Sequence, residues 1–227
     1  MNAYADFFAL QKEKFPRKTF LIFKDTSYTY EEFSELVNRL GNGFKKIGVQ
    51  PGDKVGIMGF NSSDWLLSYF SLISIGAVVA TVNPVLSIAE RVHIINHCDL
   101  SALVLDAQAI PDFEKMKKEI GLSKIVLLGE ARRDGAVTMR RLLEQGSTDP
   151  CRVERDGNDP CMIFHTGGTT SLPKSAVIPH RAFHWIMSNA PGAWHVDPED
   201  RFLISSSMSF GMASGNILPI APCPMAP

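Results

Sequence analysis

The sequence predicts an α/β protein in which largely parallel sheets are flanked by helices. Three observations carry this. Short runs rich in Val and Ile alternate with amphipathic stretches along most of the chain. Two of those stretches open on capping boxes, which fix where a helix begins. The segments between successive apolar runs are long enough for the crossover helices that parallel neighbours require. With 227 residues, 45% of them hydrophobic and 21% charged, the chain has the composition of a packed globular protein.

Taken in order, residues 1–15 read as a short surface helix, because Asp6 and Glu13 interrupt any apolar core and no basic segment precedes one. No secretory signal is evident. Thr29-Tyr30-Glu31-Glu32 forms a capping box, after which Tyr30, Phe33, Leu36, Leu40, Phe44 and Ile47 recur every three or four residues until Gly48. The turn Gln50-Pro51-Gly52-Asp53 leads into a strand at Lys54–Phe60, and Ser63-Asp64 is expected to cap the next helix.

Trp65–Val82 contains no charged residue and approaches the length of a membrane span. Ser68, Ser71 and Ser74 recur through it, Gly76 divides it, and β-branched Val78, Val79, Thr81 and Val82 follow. That pattern suits a buried helix followed by a buried strand at Ala77–Val82. A second capping box, Ser87–Glu90, opens a helix to about Cys98, followed by a strand at Ala102–Asp106, a helix initiated by Pro111 and a strand at Lys124–Leu128. From about Gly129 to Asp159 the chain is richer in charge and turn residues, with one helix at Thr138–Gln145, and reads as a connection between two sheet units. Beyond it come a strand at Cys161–His165, a strand at Ser175–Pro179 and a helix from about Arg181.

Charge and cysteines narrow the function. Lys plus Arg (23) nearly cancel Asp plus Glu (24), and no basic block suits nucleic acid. The four cysteines form no C-x-x-C pair, which argues against a zinc site or a disulfide framework and fits a reducing cytoplasm. His93 and His97 have metal-ligand spacing on a helix, but no Glu lies between them in the pattern of a zinc protease, and a polar helix face explains them better. His165 and His184 can approach a ligand, though a strand residue and a helix-surface residue account for them as well. There is no G-x-S-x-G and no suggestive carboxylate pair, so serine hydrolases and glycosidases are set aside.

Chemistry concentrates between the last two strands. Thr166-Gly167-Gly168-Thr169-Thr170-Ser171-Leu172-Pro173-Lys174 offers four hydroxyls, two glycines and one ammonium within nine residues. Backbone amides and hydroxyls can donate to phosphate oxygens while Lys174 offsets charge developing at phosphorus. By composition alone the cluster suits a surface turn equally well. It also nears the P-loop pattern G-x-x-x-x-G-K-S, but Pro173 replaces the second glycine, removes an amide donor and fixes φ, and the residues after Lys174 continue as a strand.

The run Ile163–Lys174 with His180-Arg181 resembles the signature of the AMP-binding superfamily, which includes acyl-CoA synthetases, luciferases and nonribosomal adenylation domains. The likeness extends upstream through Tyr28–Glu32, Gly48–Val55 and Gly76–Pro84, so it covers nearly the whole chain. It implies an enzyme that joins a carboxylic acid to ATP with Mg²⁺, releases pyrophosphate and hands the acyl group from AMP to a thiol, commonly coenzyme A. By resemblance, Thr166, Thr169, Thr170 and Lys174 grip the β- and γ-phosphates, Gly167 and Gly168 permit the loop's shape, and Ser171 belongs to the same nucleotide-binding loop.

Ser171 and Ser175 stand where the family usually has glycine; wherever φ is positive, such a serine costs roughly 1 kcal/mol. Ser207, Met208 and Ser209 occupy a stretch where the family often carries Pro and His near the acyl site. The resemblance further implies that residues 1–227 form an incomplete N-terminal domain, with a subdomain boundary near 129–159 and without the ribose-holding Asp, adenine pocket or small C-terminal domain bearing a catalytic Lys. On that expectation the isolated chain is inactive. The alternative expectation is a non-catalytic module that pairs with a separately encoded remainder or self-associates. The closing stretch Pro219–Pro227, with four prolines in nine residues, continues neither a helix nor a central strand.

Overall fold

The computed structural model describes residues 3–129, 132–166, 172–197 and 199–210. Its elements run α1 (Ala3–Lys14), β1 (Thr19–Phe23), β2 (Thr26–Thr29), α2 (Tyr30–Lys46), β3 (Lys54–Met58), α3 (Ser63–Ser74), β4 (Val78–Val82), α4 (Ile88–His97) and β5 (Ala102–Leu105). After these come α5 (Ile110–Met116), β6 (Ile125–Leu127), β7 (Val137–Thr138), α6 (Met139–Gln145), β8 (Pro160–Thr166), β9 (Lys174–Pro179) and α7 (His180–Ala193). The expected α/β class holds. Seven strands form one sheet in the order β7-β6-β5-β3-β4-β8-β9, parallel throughout except for β9, which runs antiparallel to β8.

Strand alternation divides the apolar residues between two cores. Val55, Ile57, Val79, Val104, Val126 and Met162 point toward the side of α2, α3, α6 and α7. Their neighbours Met58, Val78, Ala80, Leu103, Leu105, Ile125 and Ile163 point toward α4 and α5. A parallel sheet buried on both faces needs this double supply, which is why its strands read as nearly continuous apolar runs.

Both capping boxes form: Thr29 Oγ1 accepts from Glu32 N–H at 3.2 Å, and Ser87 Oγ accepts from Glu90 N–H at 3.3 Å. The cap of α3 is Ser62, one residue before the expected pair, and its Oγ accepts from Trp65 N–H at 3.0 Å. Every residue of α3 from Trp65 to Ser74 is buried. Its 12 residues make it about 18 Å long, well short of a bilayer core. Among the described residues no helix is long and apolar enough to cross a membrane.

Three parts of the fold differ from the sequence reading. The hairpin β1–β2 was not expected, since its turn, Lys24-Asp25, lacks glycine and places Lys24 at φ 54°. Helix α1 is docked rather than superficial, with Phe8 buried against Phe20, Tyr30, Phe33 and Phe70 and Gln11 fully buried. Finally, the connection after β6 holds the expected helix, α6, but it joins strands of one sheet and not two sheet units, adds β7 to that sheet, and is then strapped along α2. Asn42 Nδ2 donates to the Ser147 and Asp149 carbonyls at 3.0 and 2.8 Å, and Lys45 Nζ donates to the Cys151 carbonyl at 2.7 Å. This route carries the chain from the β7 edge past four strands to β8, a crossing that parallel pairing with β4 demands.

Close approach of α2 and α6 depends on Gly43. A Cβ there would lie 2.5 Å from the Leu142 carbonyl oxygen and 2.8 Å from Leu142 Cβ. Alanine gains up to about 1 kcal/mol of helix propensity over glycine. Overpacking against backbone costs about 1–3 kcal/mol and outweighs it. Gly43→Ala is therefore expected to lower the midpoint of urea unfolding; an unchanged or raised midpoint would show that α6 moves off α2 freely.

Candidate nucleotide-binding site

Because β3, β4, β5 and β8 are parallel, their carboxyl ends share one edge of the sheet, the edge where open α/β folds place ligands. Three stretches of chain converge there. The first is the turn after β4, where Asn83 Oδ1 accepts from Val85 N–H at 3.0 Å. The second is the pair of stems, β8 and β9, that flank residues 167–173. The third is the segment 206–210, laid across the edge by Asn61 and Thr81. Asn61 Nδ2 donates to the Ser206 carbonyl, Asn61 Oδ1 accepts from Met208 N–H, and Thr81 Oγ1 donates to the Ser209 carbonyl, each at 2.8 Å.

Thr166 ends β8 and faces Lys174, the first residue of β9, across the antiparallel ladder. Both are exposed, and Thr166 Oγ1 lies 3.4 Å from the Lys174 carbonyl, a weak bond that leaves the hydroxyl available. No carboxylate among the described residues forms an ion pair with Lys174. The predicted site residues Gly167, Gly168, Thr169, Thr170 and Ser171 lie outside the described residues. Lys174 leads into a strand, not into a helix whose N-terminus could hold phosphate. Ser175 sits in β9 outside the left-handed region, so its side chain carries no backbone strain there.

Sequence reasoning left His165 undecided and gave Asn83 and Ser209 no role. With Thr81, Leu86, Thr166, Pro173 and Phe210 they line a cavity of about 30 Å³ directly behind the stems. His165 Nδ1 pairs with Ser175 Oγ at 3.1 Å. Burial, reinforced by His97 and His93, pushes its pKa down from 6.5 to about 4, so the ring is neutral at pH 7. His180, at the start of α7, is fully buried, and among the described residues neither ring nitrogen is hydrogen-bonded. Burial first, then the Arg155 charge, pushes its pKa down to about 4 as well. His184 lies on the exposed side of α7, away from this cavity. His93 and His97 stack with ring centroids 5.1 Å apart, and among the described residues no three His, Cys, Asp or Glu side chains group as a metal site.

A family model described as AMP-binding enzyme matches residues 8–221. The chain belongs to the AMP-binding enzyme family. A long-chain-fatty-acid–CoA ligase of Thermus thermophilus is 35% identical over 68% of this chain and 28% of its own length. A 4-hydroxybutyrate–CoA ligase of Metallosphaera sedula is 29% identical over 74% of this chain and 32% of its own. A mouse long-chain fatty acid transport protein is 26% identical over 96% of this chain and 36% of its own. The chain thus spans about a third of the length of these family members.

Solved structures agree in fold. An anthranilate CoA ligase bound to anthranoyl-AMP superposes with a TM-score of 0.90 at 23% identity, over 97% of this chain and 44% of its own. A long-chain-fatty-acid–CoA ligase from Archaeoglobus fulgidus gives 0.88 at 23%, over 96% and 45%. The family's fold, a mostly parallel sheet between helices, is the one described above.

The two depressed histidines set a pH window. Each binds a proton more readily in the unfolded chain, near pH 6.5, than in the folded one, near pH 4. Their contribution to stability is therefore complete above pH 6.5 and is lost as pH falls toward 4. Carboxylates with lowered pKa, such as Glu32 and Glu90, add acid sensitivity only below their ordinary value of 4.5. Urea midpoints measured from pH 7.5 to 4.5 should fall through this window, and His180→Leu, which removes the buried titrating ring, should flatten the decline. An equally steep profile in the variant would rule out His180 as a source.

Proposed function

We propose that this chain supplies the phosphate-gripping part of an ATP-dependent acid–thiol ligase, and that residues 1–227 are one incomplete adenylate-forming domain of it. The observation that carries this reading is the pairing of Thr166 with Lys174, which has no carboxylate partner among the described residues, at the carboxyl edge of the sheet, either side of a Gly- and Thr-rich stretch. In this reading Thr166, Thr169, Thr170 and Ser171 donate hydroxyl hydrogen bonds to the β- and γ-phosphates. Gly167 and Gly168 let backbone amides approach, and the Lys174 ammonium offsets phosphate charge. Mg²⁺ comes as the counterion of the triphosphate, bound mainly through substrate phosphates as that ion usually is.

The reaction then follows from charge. A carboxylate is repelled by the tetra-anionic nucleotide, so its attack on the α-phosphorus requires the phosphates to be neutralised first. One carboxylate oxygen bonds to the α-phosphorus, the bond to the bridging oxygen breaks, and pyrophosphate leaves. A thiol, coenzyme A on this reading, next attacks the acyl carbon and AMP departs. Similar proteins bear the names of ligases for long-chain fatty acids, 4-hydroxybutyrate and crotonobetaine or carnitine. A fatty acid fits the most similar of these, which supports fatty acid metabolism as the setting.

Full turnover needs more than this chain, which spans about a third of its relatives. A second reading, a non-catalytic docking module, draws support from exposed apolar residues late in the described chain, notably Trp185 (67% exposed) and Leu203 (92%). Calorimetric titration with MgATP separates the two. The isolated chain is expected to bind MgATP without forming acyl-adenylate. Lys174→Ala should weaken binding by about 10- to 150-fold, the worth of one charge-assisted contact. A folded chain that ignores MgATP would favour the docking module.

A further inference from the structure

We propose that the cavity behind the loop stems holds one ordered water, and that through it His165 is a positioning residue for Thr166 and Lys174. Among the described residues, three buried side-chain atoms of the residues lining this cavity have no hydrogen-bond partner: Asn83 Nδ2, His165 Nε2 and Ser209 Oγ. Asn83 and Ser209 are only 4% and 5% exposed, so bulk solvent does not satisfy them. Left unpaired, each costs about 1–3 kcal/mol. The amide of Asn83 is oriented by its neighbour, because Val85 N–H needs the oxygen and so turns the nitrogen inward.

Size and lining admit the occupant. A cavity of about 30 Å³ exceeds the roughly 10–15 Å³ that a water needs, and its three polar atoms give that water the partners it requires. One water, with two protons and two lone pairs, meets all three orphan atoms at once. It accepts from Asn83 Nδ2 and exchanges the remaining bonds with His165 Nε2 and Ser209 Oγ. This works with either neutral tautomer of His165, and the ring is neutral near pH 7. The charged and titratable neighbours are His93 and His97 from α4, which oppose protonation of His165.

The link to function rests on the proposed ATP site. His165 and Ser175 are directly opposite in the β8–β9 ladder, one pair in from Thr166 and Lys174. Their side chains are bonded at 3.1 Å, and Cys98 Sγ lies 3.5 Å from Ser175 Oγ. The water fixes the far side of the ring to the turn after β4 and to segment 206–210. The twist of the stem pair, and hence the spacing of Thr166 and Lys174, is held from both sides of one imidazole.

Two measurements test the parts separately. A crystal structure of the 227-residue chain at high resolution should show one water within hydrogen-bond distance of Asn83 Nδ2, His165 Nε2 and Ser209 Oγ. Direct pairing among these atoms, or no ordered density, overturns the water whatever the fate of the ATP reading. For the positioning role, His165→Phe should weaken MgATP binding about tenfold while His165→Gln recovers most of it, with urea midpoints recorded for both. Unchanged MgATP affinity in His165→Phe, or equal loss in both variants, overturns the positioning role. No MgATP binding by the unaltered chain overturns the ATP reading and the positioning role with it, while the water stands on the crystal structure.

Discussion

The architecture depends on one constraint: a parallel ladder whose two faces must both be dry. Backbone pairing among β5, β3, β4 and β8 is parallel, so no hairpin can join these strands and each link must cross the sheet. The crossings supply α3 on one face and α4 on the other, and the long strap along α2 is the price of reaching β8 from the far edge. The same constraint gathers the carboxyl ends of four strands on one side. A shared edge, the place for a candidate site, thus follows from the ladder before any particular side chain is considered.

That edge departs from the packing rule that the cores obey. In the cores apolar side chains such as Leu40 and Ile57 are fully buried among apolar neighbours. At the edge, His165, Asn83 and Ser209 bring polar atoms into a small cavity, while His180, at the opposite end of the β8–β9 pair beside Asp159, is buried with neither ring nitrogen bonded among the described residues. Such placements cost stability wherever they occur. Among the described residues such atoms also occur in the cores, at Gln11, Trp65 and Ser71, but at this edge three of them line one cavity, a local cost of the kind that a rigid frame absorbs.

What could be read from the sequence divides along physical lines. Capping boxes are local, so Thr29 with Glu32 and Ser87 with Glu90 located two helices correctly. Continuous apolar runs marked the buried strands, and Gly76 with the β-branched run after it divided α3 from β4 where a membrane span would have been one helix. The β1–β2 hairpin was illegible because Lys24-Asp25 carries no glycine, and α1 because its docking through Phe8 depends on aromatic partners 12 to 62 residues away. At the candidate site, the stem pair Thr166 and Lys174 could be singled out from residue type and spacing alone. Asn83 and Ser209 could not, since only the fold brings residues 126 positions apart to one cavity.

Ser175 shows why a departure from a family pattern is best read with its partner. Taken alone, a serine in place of glycine at a phosphate loop looks like a loss of freedom. Here the position lies in β9, where φ is not left-handed and a side chain costs nothing. Its hydroxyl reaches His165 Nδ1 at 3.1 Å. With glycine at 175, that half-buried nitrogen would lose this hydrogen bond, and the ring would be free to turn away from the cavity. A histidine at 165 and a serine at 175 are therefore mutually consistent, each supplying what the other needs. The pair replaces the flexibility that glycine would give this stem with a cross-strand hydrogen bond, which favours a preset spacing of Thr166 and Lys174 over one adjusted upon binding.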